Sequence, residues 1–346
     1  MIGLLLLLPA VSRPPLRLCF SRIRCSYGPN CNAGKMGSRN FNSLHRKAAS
    51  FRLCNVSGHT TELLEIGVQN NRLHVLVIPG NPGIVTYYKE FVESLYDMFE
   101  GRAFVTAVGH ISHTNKDWEN GQLFSIEEQI EHKVDFLKHE LANHDSTVIL
   151  VGHSIGAYIS LEVFRREPEL VAYCIGLYPF LALNMKSSKQ SMIGKLSASS
   201  ILCAALSSLA GILGLLPKWA SIFIAKNSVG RSWSATAIEA TCTHLLQYHA
   251  LRNVFFMAMT EFQKFSVEPD WTVMKDKPRQ IAFLFGIDDH WGPLSLYEEV
   301  SKTVPDIDLS IEREGHTHSF CCTEAGSLWV AQYVATLVEN KFGKQS

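Results

Sequence analysis

Acidic residues are missing from the first 61 positions of this 346-residue chain, although those positions carry nine lysine and arginine residues. The remainder holds 23 basic and 32 acidic residues, so a net charge of zero conceals a basic N-terminal segment and an acidic body. An acidic body without a patch of interleaved basic and aromatic residues offers no footprint for nucleic acid. We therefore expect no nucleic-acid partner.

Residues 1–54 are expected to be an appendage of the fold. Arginine- and serine-rich segments that lack acids are typical of organelle transit peptides, which would place the protein in a plastid or mitochondrion. Initiation at Met36 would instead make the segment an extended start. The leucine run at residues 4–8 is short for a secretory signal. We predict a folded domain over residues 55–346, with a helical insertion at residues 184–270.

Spacing typical of metal sites and disulfide frameworks is also missing. Nine cysteines is an odd number, and the five beyond the N-terminal segment are Cys174, Cys203, Cys242, Cys321 and Cys322. These five fit neither a zinc pattern nor a set of paired bridges. We therefore expect reduced thiols and neither a metal nor an organic cofactor. The sequence carries no signal of oligomeric state.

Strand and helix patterns alternate along the chain, which predicts a mostly parallel sheet flanked by helices. Ser125 and Glu128 form a capping box at the start of one predicted helix. Residues 184–270 interrupt the alternation. The predicted strands cover residues 61–68, 73–78, 104–108, 147–151, 173–177, 281–285 and 307–311, and the predicted helices cover residues 87–98, 125–141, 157–166 and 327–340.

The pentapeptide Gly152–Gly156, G-H-S-I-G, matches G-x-S-x-G and lies between a predicted strand and a predicted helix. A sharp strand-to-helix turn lifts a serine hydroxyl above the edge of the sheet. The flanking glycines let the backbone and a substrate approach closely. This context makes Ser154 a candidate nucleophile.

A serine nucleophile needs a base to take its proton and an acid to orient that base. In chains with this turn the order is serine, then aspartate or glutamate, then histidine. Asp289 follows a predicted strand and is our candidate acid, with Asp288 as its immediate competitor. His316 and His318 follow the last predicted strand, and because they lie two residues apart we expect at most one in the site. Spacing alone does not choose between them.

Acyl transfer also requires N–H groups that stabilise the developing oxyanion. One should be the backbone N–H of Ile155, the residue after the candidate nucleophile. The other should come from the Pro79–Gly83 loop, P-G-N-P-G, which follows a predicted strand. Because Pro82 has no N–H, Asn81 is our candidate and Gly83 the alternative.

Taken together, these segments resemble the lipid droplet-associated hydrolases, a family of the α/β-hydrolase superfamily. The P-G-N-P-G and Q-I-E-H-K segments are the specific ones, whereas many hydrolases share the serine turn. The similarity extends from about residue 58 to about residue 338. It rests on residues 79–83 with Tyr87-Tyr88, residues 129–133, residues 152–156, the loop at 289–293 and H-S-F at 318–320.

This resemblance implies an α/β-hydrolase fold and a triad of Ser154, Asp289 and His318, so that His318 rather than His316 is the base. It implies hydrolysis of neutral-lipid or sterol esters at lipid droplets and the endoplasmic reticulum. One alternative is acyl transfer to an alcohol, although no H-x-x-x-x-D acyltransferase signature occurs in the chain. Another is a droplet-organising protein with weak or no hydrolase activity.

Charged residues are absent from residues 196–216, inside the insertion. A helix of about 21 residues would span about 30 Å, close to the hydrocarbon core of a bilayer. Pro217, Lys218 and Trp219 separate this run from a second apolar run at residues 222–224. The pattern predicts either a hairpin that dips into a membrane or droplet surface through residues 196–224, or a buried helical cap over the site. Both predict an apolar entrance for substrate.

Overall fold

The computed structural model describes residues 47–69, 71–141, 146–229, 232–265 and 268–343. Its centre is one eight-stranded sheet. Its order is β1-β2-β4-β3-β5-β6-β7-β8; β2 is antiparallel to β1 and β4, and all the other neighbours are parallel. The predicted mostly parallel sheet is therefore confirmed. The strands are β1 (Ser50–Val56), β2 (His59–Ile66), β3 (Leu73–Ile78), β4 (Ala103–Val108), β5 (Thr147–His153), β6 (Val171–Leu177), β7 (Ile281–Gly286) and β8 (Asp308–Glu312).

Helices connect the strands and build the insertion between β6 and β7. A 3-10 turn at Val85–Tyr88 precedes α1, and a π turn at Leu137–Leu141 extends α2. The helices are α1 (Lys89–Met98), α2 (Ile126–Phe136), α3 (Ile155–Arg166), α4 (Ser188–Ser197), α5 (Ser200–Gly214), α6 (Lys218–Val229), α7 (Ala235–Ala240), α8 (Tyr248–Lys264), α9 (Thr272–Asp276), α10 (Leu294–Thr303) and α11 (Glu324–Phe342).

Strand β3 is buried over its whole length. Parallel strands with helices on both faces bury both rows of side chains, so they are apolar throughout. Val75 and Val77 pack towards α1 and α11, whereas Leu76 and Ile78 pack towards α2 and α3. In such a sheet, ligands bind beyond the carboxyl ends of the strands. The loops that follow β3, β5, β7 and β8 meet there.

The predicted domain boundary after residue 54 is wrong, because β1 begins at Ser50. The N–H of Ala49 donates to Glu93 Oε1 of α1 at 3.0 Å. Arg52 pairs with Glu65 of β2 at 2.8 Å. The end of the basic segment therefore belongs to the sheet. The transit-peptide, secretory-signal and Met36 predictions fall on residues 1–46, which lie outside the described residues.

The expectation of a single helix over residues 196–216 is also wrong. Helix α4 ends at Ser197 and α5 begins at Ser200, because Ser199 caps α5 by accepting the N–H of Leu202 at 3.4 Å. Within the described ranges no single helix is long and apolar enough to span a membrane, and α4 and α5 meet those criteria only together, with a bend of 92°. The predicted break at Pro217 is confirmed, since α6 begins at Lys218.

The insertion packs as a helical cap, in which α4 and α5 lie against α8. The buried face of α5 carries Cys203, Ser207 and Ala210. Gly211 of α5 faces Tyr248 of α8, and a methyl group added at this glycine would lie 3.5 Å from the Tyr248 Cβ. Helix α5, which lies in the uncharged run at residues 196–216, therefore has one face buried in the protein.

The Q-I-E-H-K segment lies on α2 and holds the loop that follows β4. Gln129 accepts the N–H of Ile111 at 2.9 Å and donates to the Ile111 carbonyl at 3.2 Å. Lys133 Nζ donates to the Gly109 carbonyl at 2.8 Å, and burial lowers the pKa of this lysine to about 7. The polar groups of the segment thus satisfy backbone groups of the buried loop that follows β4.

We predict that Gly156→Ala strongly destabilises the fold. An added Cβ would lie 2.2 Å from the Ile78 carbonyl oxygen and 2.4 Å from that of Pro79, and these backbone atoms cannot rotate aside. The expected loss is about 3 kcal/mol or more in the free energy of unfolding, measured by urea denaturation. Gly211→Ala is the control, because its Cβ meets only ordinary contacts and alanine favours a helix interior. Equal losses in the two variants would contradict the prediction.

Candidate active site

Ser154 occupies a strained turn between β5 and α3. Its φ and ψ angles are 56° and −123°, a conformation that costs a non-glycine residue on the order of 1–3 kcal/mol. The Ser154 N–H donates to the Leu177 carbonyl at 2.9 Å, and the Ser154 carbonyl accepts the N–H of Phe180 at 3.2 Å. These two bonds fix the turn against the end of β6. Strain of this kind clusters at functional sites, where the surroundings maintain it.

Two glycines permit that turn. A Cβ at Gly152 would lie 2.2 Å from the Gly156 carbonyl oxygen, and a Cβ at Gly156 would overlap the end of β3. The helix and the two strands therefore meet at backbone contact. This is the physical reason for the glycine on each side of the serine in the pentapeptide.

Asp289 and His318 meet in loops at the same edge of the sheet. His318 Nδ1 lies 2.9 Å from Asp289 Oδ2, and only 1% of the Asp289 side chain is exposed. The other oxygen, Oδ1, accepts the N–H of Trp291 at 2.9 Å, which orients the carboxylate. Asp288, the competing acid, is exposed to solvent. The geometry therefore pairs Asp289, not Asp288, with an imidazole.

His316, the competing base, lies apart from this pair. Its ring packs on Trp329 of α11, with a centroid distance of 5.7 Å. His318 instead lines the same pocket as Ser154. The structure thus brings Ser154, Asp289 and His318 to one site and leaves His316 against a helix.

His153 and Tyr88 line the pocket and connect two of its loops. His153 Nε2 lies 2.9 Å from the His318 carbonyl, which can only accept, so this nitrogen donates. His153 Nδ1 then accepts from the Tyr88 hydroxyl at 2.6 Å. The Tyr88 oxygen in turn accepts the N–H of Gly80 at 2.9 Å. One chain of hydrogen bonds therefore ties the loop of the candidate base to the Pro79–Gly83 loop.

Hydrogen bonding distinguishes the candidate oxyanion donors from one another. The Gly83 N–H donates to His113 Nδ1 at 2.8 Å, so it is engaged inside the protein. Among the described residues, no protein acceptor takes the N–H of Asn81 or of Ile155. Asn81 and Ser154 line the same pocket, and Ile155 follows Ser154 at the start of α3. The geometry favours the N–H groups of Asn81 and Ile155 for an oxyanion.

Apolar and aromatic groups dominate the pocket above Ser154. Its volume is about 460 Å³, including the open mouth. Trp233 comes from the cap, and its ring meets that of Tyr87 at a centroid distance of 6.1 Å. No group of three or more potential metal ligands occurs in the described part of the chain. The lining residues are Gly80, Asn81, Pro82, Tyr87, Tyr88, His153, Ser154, Trp233, His318, Ser319, Cys321 and Cys322.

A family model described as lipid-droplet associated hydrolase matches residues 71–321. The chain belongs to this family. The lipid droplet-associated hydrolase of Gallus gallus is 31% identical over 265 residues, which cover 72% of this chain and 80% of the relative. The relative of the same name from Dictyostelium discoideum is 29% identical over 278 residues, covering 77% and 88%. The human one is 27% identical over 297 residues, covering 78% and 89%.

Solved structures confirm the α/β-hydrolase fold. The epoxide hydrolase VrEH1 from Vigna radiata superposes with a TM-score of 0.60 at 14% identity, covering 85% of this chain and 99% of that one. A structure from work on the carboxylesterases of Nitrososphaera gargenis gives a TM-score of 0.58 at 13% identity, covering 84% and 100%. Family and fold together support a hydrolase.

Two further histidines near the site are kept neutral by burial. Desolvation lowers the pKa of His290 to about 4, and the neighbouring His318 adds to that effect. Burial also lowers the pKa of His110 well below its usual range. His110 packs beneath the Pro79–Gly83 loop, where a Cβ on Gly83 would lie 2.2 Å from its ring.

We predict that His318→Ala abolishes ester turnover, because the serine would lose its proton acceptor. His316→Ala is the matched control, since it removes an imidazole from the same loop but not from the pocket. It should keep activity within about threefold of the unmodified protein, a difference of less than about 1 kcal/mol in activation free energy. Initial rates with a short nitrophenyl ester measure both variants. A large loss with His316→Ala and a small one with His318→Ala would reverse the assignment.

Proposed function

We propose that the protein is a serine carboxylester hydrolase that acts on lipophilic esters, neutral lipid or sterol ester, at lipid droplets. One observation carries the proposal. A serine on a strained turn shares an apolar pocket with a histidine that is paired with a buried aspartate. Chemistry of this kind requires these three groups and a place for an oxyanion.

In the proposed reaction Ser154 Oγ attacks the ester carbonyl and His318 Nε2 takes its proton. Asp289 accepts from Nδ1–H, which orients the ring and stabilises the imidazolium. The N–H groups of Asn81 and Ile155 stabilise the negative charge on the former carbonyl oxygen. The alcohol then leaves with the proton from His318, and an acyl-enzyme remains.

Water completes the proposed cycle. His318 takes a proton from water, the hydroxide attacks the acyl carbon, and the acid leaves as Ser154 regains its proton. Within the described residues no hydrogen bond joins Ser154 Oγ to His318. Contacts of this kind often tighten only when substrate binds, so we expect substrate to bring the two groups together.

The pocket walls support an apolar substrate. Tyr87, Trp233 and Cys322 contribute apolar surface near Ser154, and the pocket has no lysine, arginine, aspartate or glutamate in its lining. Sites of this composition hold apolar ligands by burial and orient them with few polar groups. The names of the relatives support lipid droplets as the location, and we include the endoplasmic reticulum in the proposal.

The outer surface of the cap supports contact with lipid. Residues 196–216 carry no charge, and helices α5 and α6 leave large apolar side chains exposed. Exposed apolar surface is typical of membrane and partner contacts. We propose that it rests on the droplet surface while the opposite face covers the site. The most exposed members are Ile201 (85%), Ile212 (61%), Leu215 (86%), Trp219 (75%) and Phe223 (67%).

This cap surface also favours the second candidate function, a droplet-organising protein with weak or no hydrolase activity. Acyl transfer to an alcohol would use the same acyl-enzyme and differ only in the acceptor. The first experiment therefore measures chemistry and the second measures localisation.

We predict that Ser154→Ala abolishes hydrolysis and leaves the fold intact, because the side chain supplies the nucleophile and little of the packing. The full chain and the variant are compared on short nitrophenyl esters, emulsified triacylglycerol and cholesteryl ester, with an alcohol added to detect acyl transfer. Serine-dependent release of acid supports the hydrolase, and the preferred ester identifies the substrate class. Equal rates for the two folded proteins would instead support the organising role.

We predict that Trp219→Asp with Phe223→Asp lowers binding to artificial lipid droplets by about tenfold or more, because each buried aromatic ring contributes roughly 1.5–3 kcal/mol. Hydrolysis of a soluble ester should be unchanged. Phe51→Asp is the matched control, since this phenylalanine is 53% exposed on edge strand β1. Flotation with triacylglycerol droplets measures binding. Unchanged binding of the double variant would contradict the proposal that the outer surface of the cap contacts the droplet.

A further inference from the structure

The Pro79–Gly83 loop is held from above by helix α8 of the cap. The side chain of Asn81 donates from Nδ2 to the Val254 carbonyl at 3.0 Å and to Glu261 Oε1 at 3.0 Å. A carbonyl oxygen can only accept, so the Val254 contact fixes which end of the Asn81 amide faces the helix. Two turns of one cap helix thus hold Asn81, the residue that we propose as an oxyanion donor.

Glu261 is an unusual residue for this place. Only 4% of its surface is exposed, and it lies on a helix whose neighbours are mainly apolar. Burial raises its pKa to about 8, against which the Asn81 hydrogen bond acts. Burial therefore favours the neutral carboxyl group, whose carbonyl oxygen accepts the Asn81 hydrogen bond.

No charged group of the described elements around α8 compensates this carboxyl. Burial raises its pKa, and the Asn81 hydrogen bond opposes that rise. Four titratable groups on and around α8 have other partners: Lys264 and Arg166 bind Glu127 of α2, His249 binds the Thr114 carbonyl, and His244 pairs with Glu62. Lys189 and Lys195 of α4 are exposed, and Arg252 of α8 is half-buried. Cys203 of α5 is buried.

We propose that Glu261 is a positioning residue, which sets the oxyanion loop by accepting the Asn81 side-chain amide and so makes catalysis depend on the position of the cap helix. This inference rests on the proposed hydrolase function. Glu261 is not among the residues that line the pocket of Ser154. It acts through Asn81, whose backbone N–H is the donor.

Two substitutions separate positioning from packing. Glu261→Gln keeps an acceptor of the same shape, so kcat at pH 7 should stay within about threefold of the unmodified protein. Glu261→Met keeps the volume but removes the acceptor, so kcat should fall about 10- to 100-fold with little change in KM, as expected for a displaced oxyanion donor. In an Asn81→Ala background, which retains the backbone N–H, Glu261→Met should cost no further activity.

The pH profile gives a readout that packing alone would not move. Above about pH 8 the unmodified Glu261 ionises, and a buried negative charge beside the loop disfavours an oxyanion there. Activity should therefore fall with a midpoint near pH 8, and Glu261→Gln should remove that fall. Asn253→Ala is the control, because Asn253 is a buried polar residue of the same helix that binds Phe124 and Gln122 instead. Asn253→Ala should lower Tm but change neither kcat nor the fall in activity near pH 8.

Stability supplies a test that is independent of activity. The carboxyl pKa is raised from 4.5 to about 8 in the folded protein, so between these values the folded state binds more protons than the unfolded state. Stability from this group is therefore lost as pH rises through that window. The Tm of Glu261→Gln relative to the unmodified protein should increase from pH 5 to pH 8 and then level off.

All rates are measured on the full chain with a short nitrophenyl ester, beside Ser154→Ala. If Ser154→Ala keeps its activity, the hydrolase proposal fails and this inference fails with it. If Ser154→Ala is inactive but Glu261→Met retains the unmodified kcat, or Glu261→Gln retains the alkaline fall, the positioning role alone is overturned. The positioning role is supported if Glu261→Met lowers kcat in the unmodified protein but causes no further loss of kcat in the Asn81→Ala variant.

Discussion

The backbone contact between helix α3 and the end of β3 is the constraint on which the site depends. At Gly156 a single added carbon would overlap the Ile78 carbonyl, and at Gly80 it would lie 3.1 Å from the Ser154 Cβ. Backbone atoms have no rotamers through which to relax such contacts. The serine turn is therefore held against the end of β3 and the start of the Pro79–Gly83 loop, and the side chains that hold the rest of this loop act on a position that the backbone has already narrowed.

The cap extends this rigidity to the loops that the sheet does not hold. Each loop that carries a candidate catalytic group leaves the sheet edge and would be free to move on one side. The loops after β3, β7 and β8 are each joined to the insertion by a hydrogen bond. These bonds run from Gln190 to the His290 carbonyl at 2.9 Å, from the Ser234 N–H to the Cys322 carbonyl at 2.8 Å, and from Asn81 to the Val254 carbonyl at 3.0 Å.

Sequence was sufficient where neighbouring residues determine the structure, as at the Ser154 turn with its apolar strand, glycines and helix. Strand β1 was missed because Phe51 and Leu53 face solvent on an edge strand and its composition matches the basic extension. Helix α10 was missed because only two of its residues are buried. The break before α5 was missed because Ser199 is one of several serines there, and only the structure shows that it is the one that caps the helix.

Long-range polar contacts lie beyond sequence patterns, and Glu261 shows why. It is 180 residues from Asn81, and a glutamate on a helix is ordinarily a solvated position. Burying a carboxyl without a cation lowers stability, whereas methionine would fill the same space without that cost. Its presence is best explained by the loop that it binds. Helix α8 also packs against α5, whose outer side chains are exposed, so Asn81 is connected through two packed helices to the outer surface of the cap.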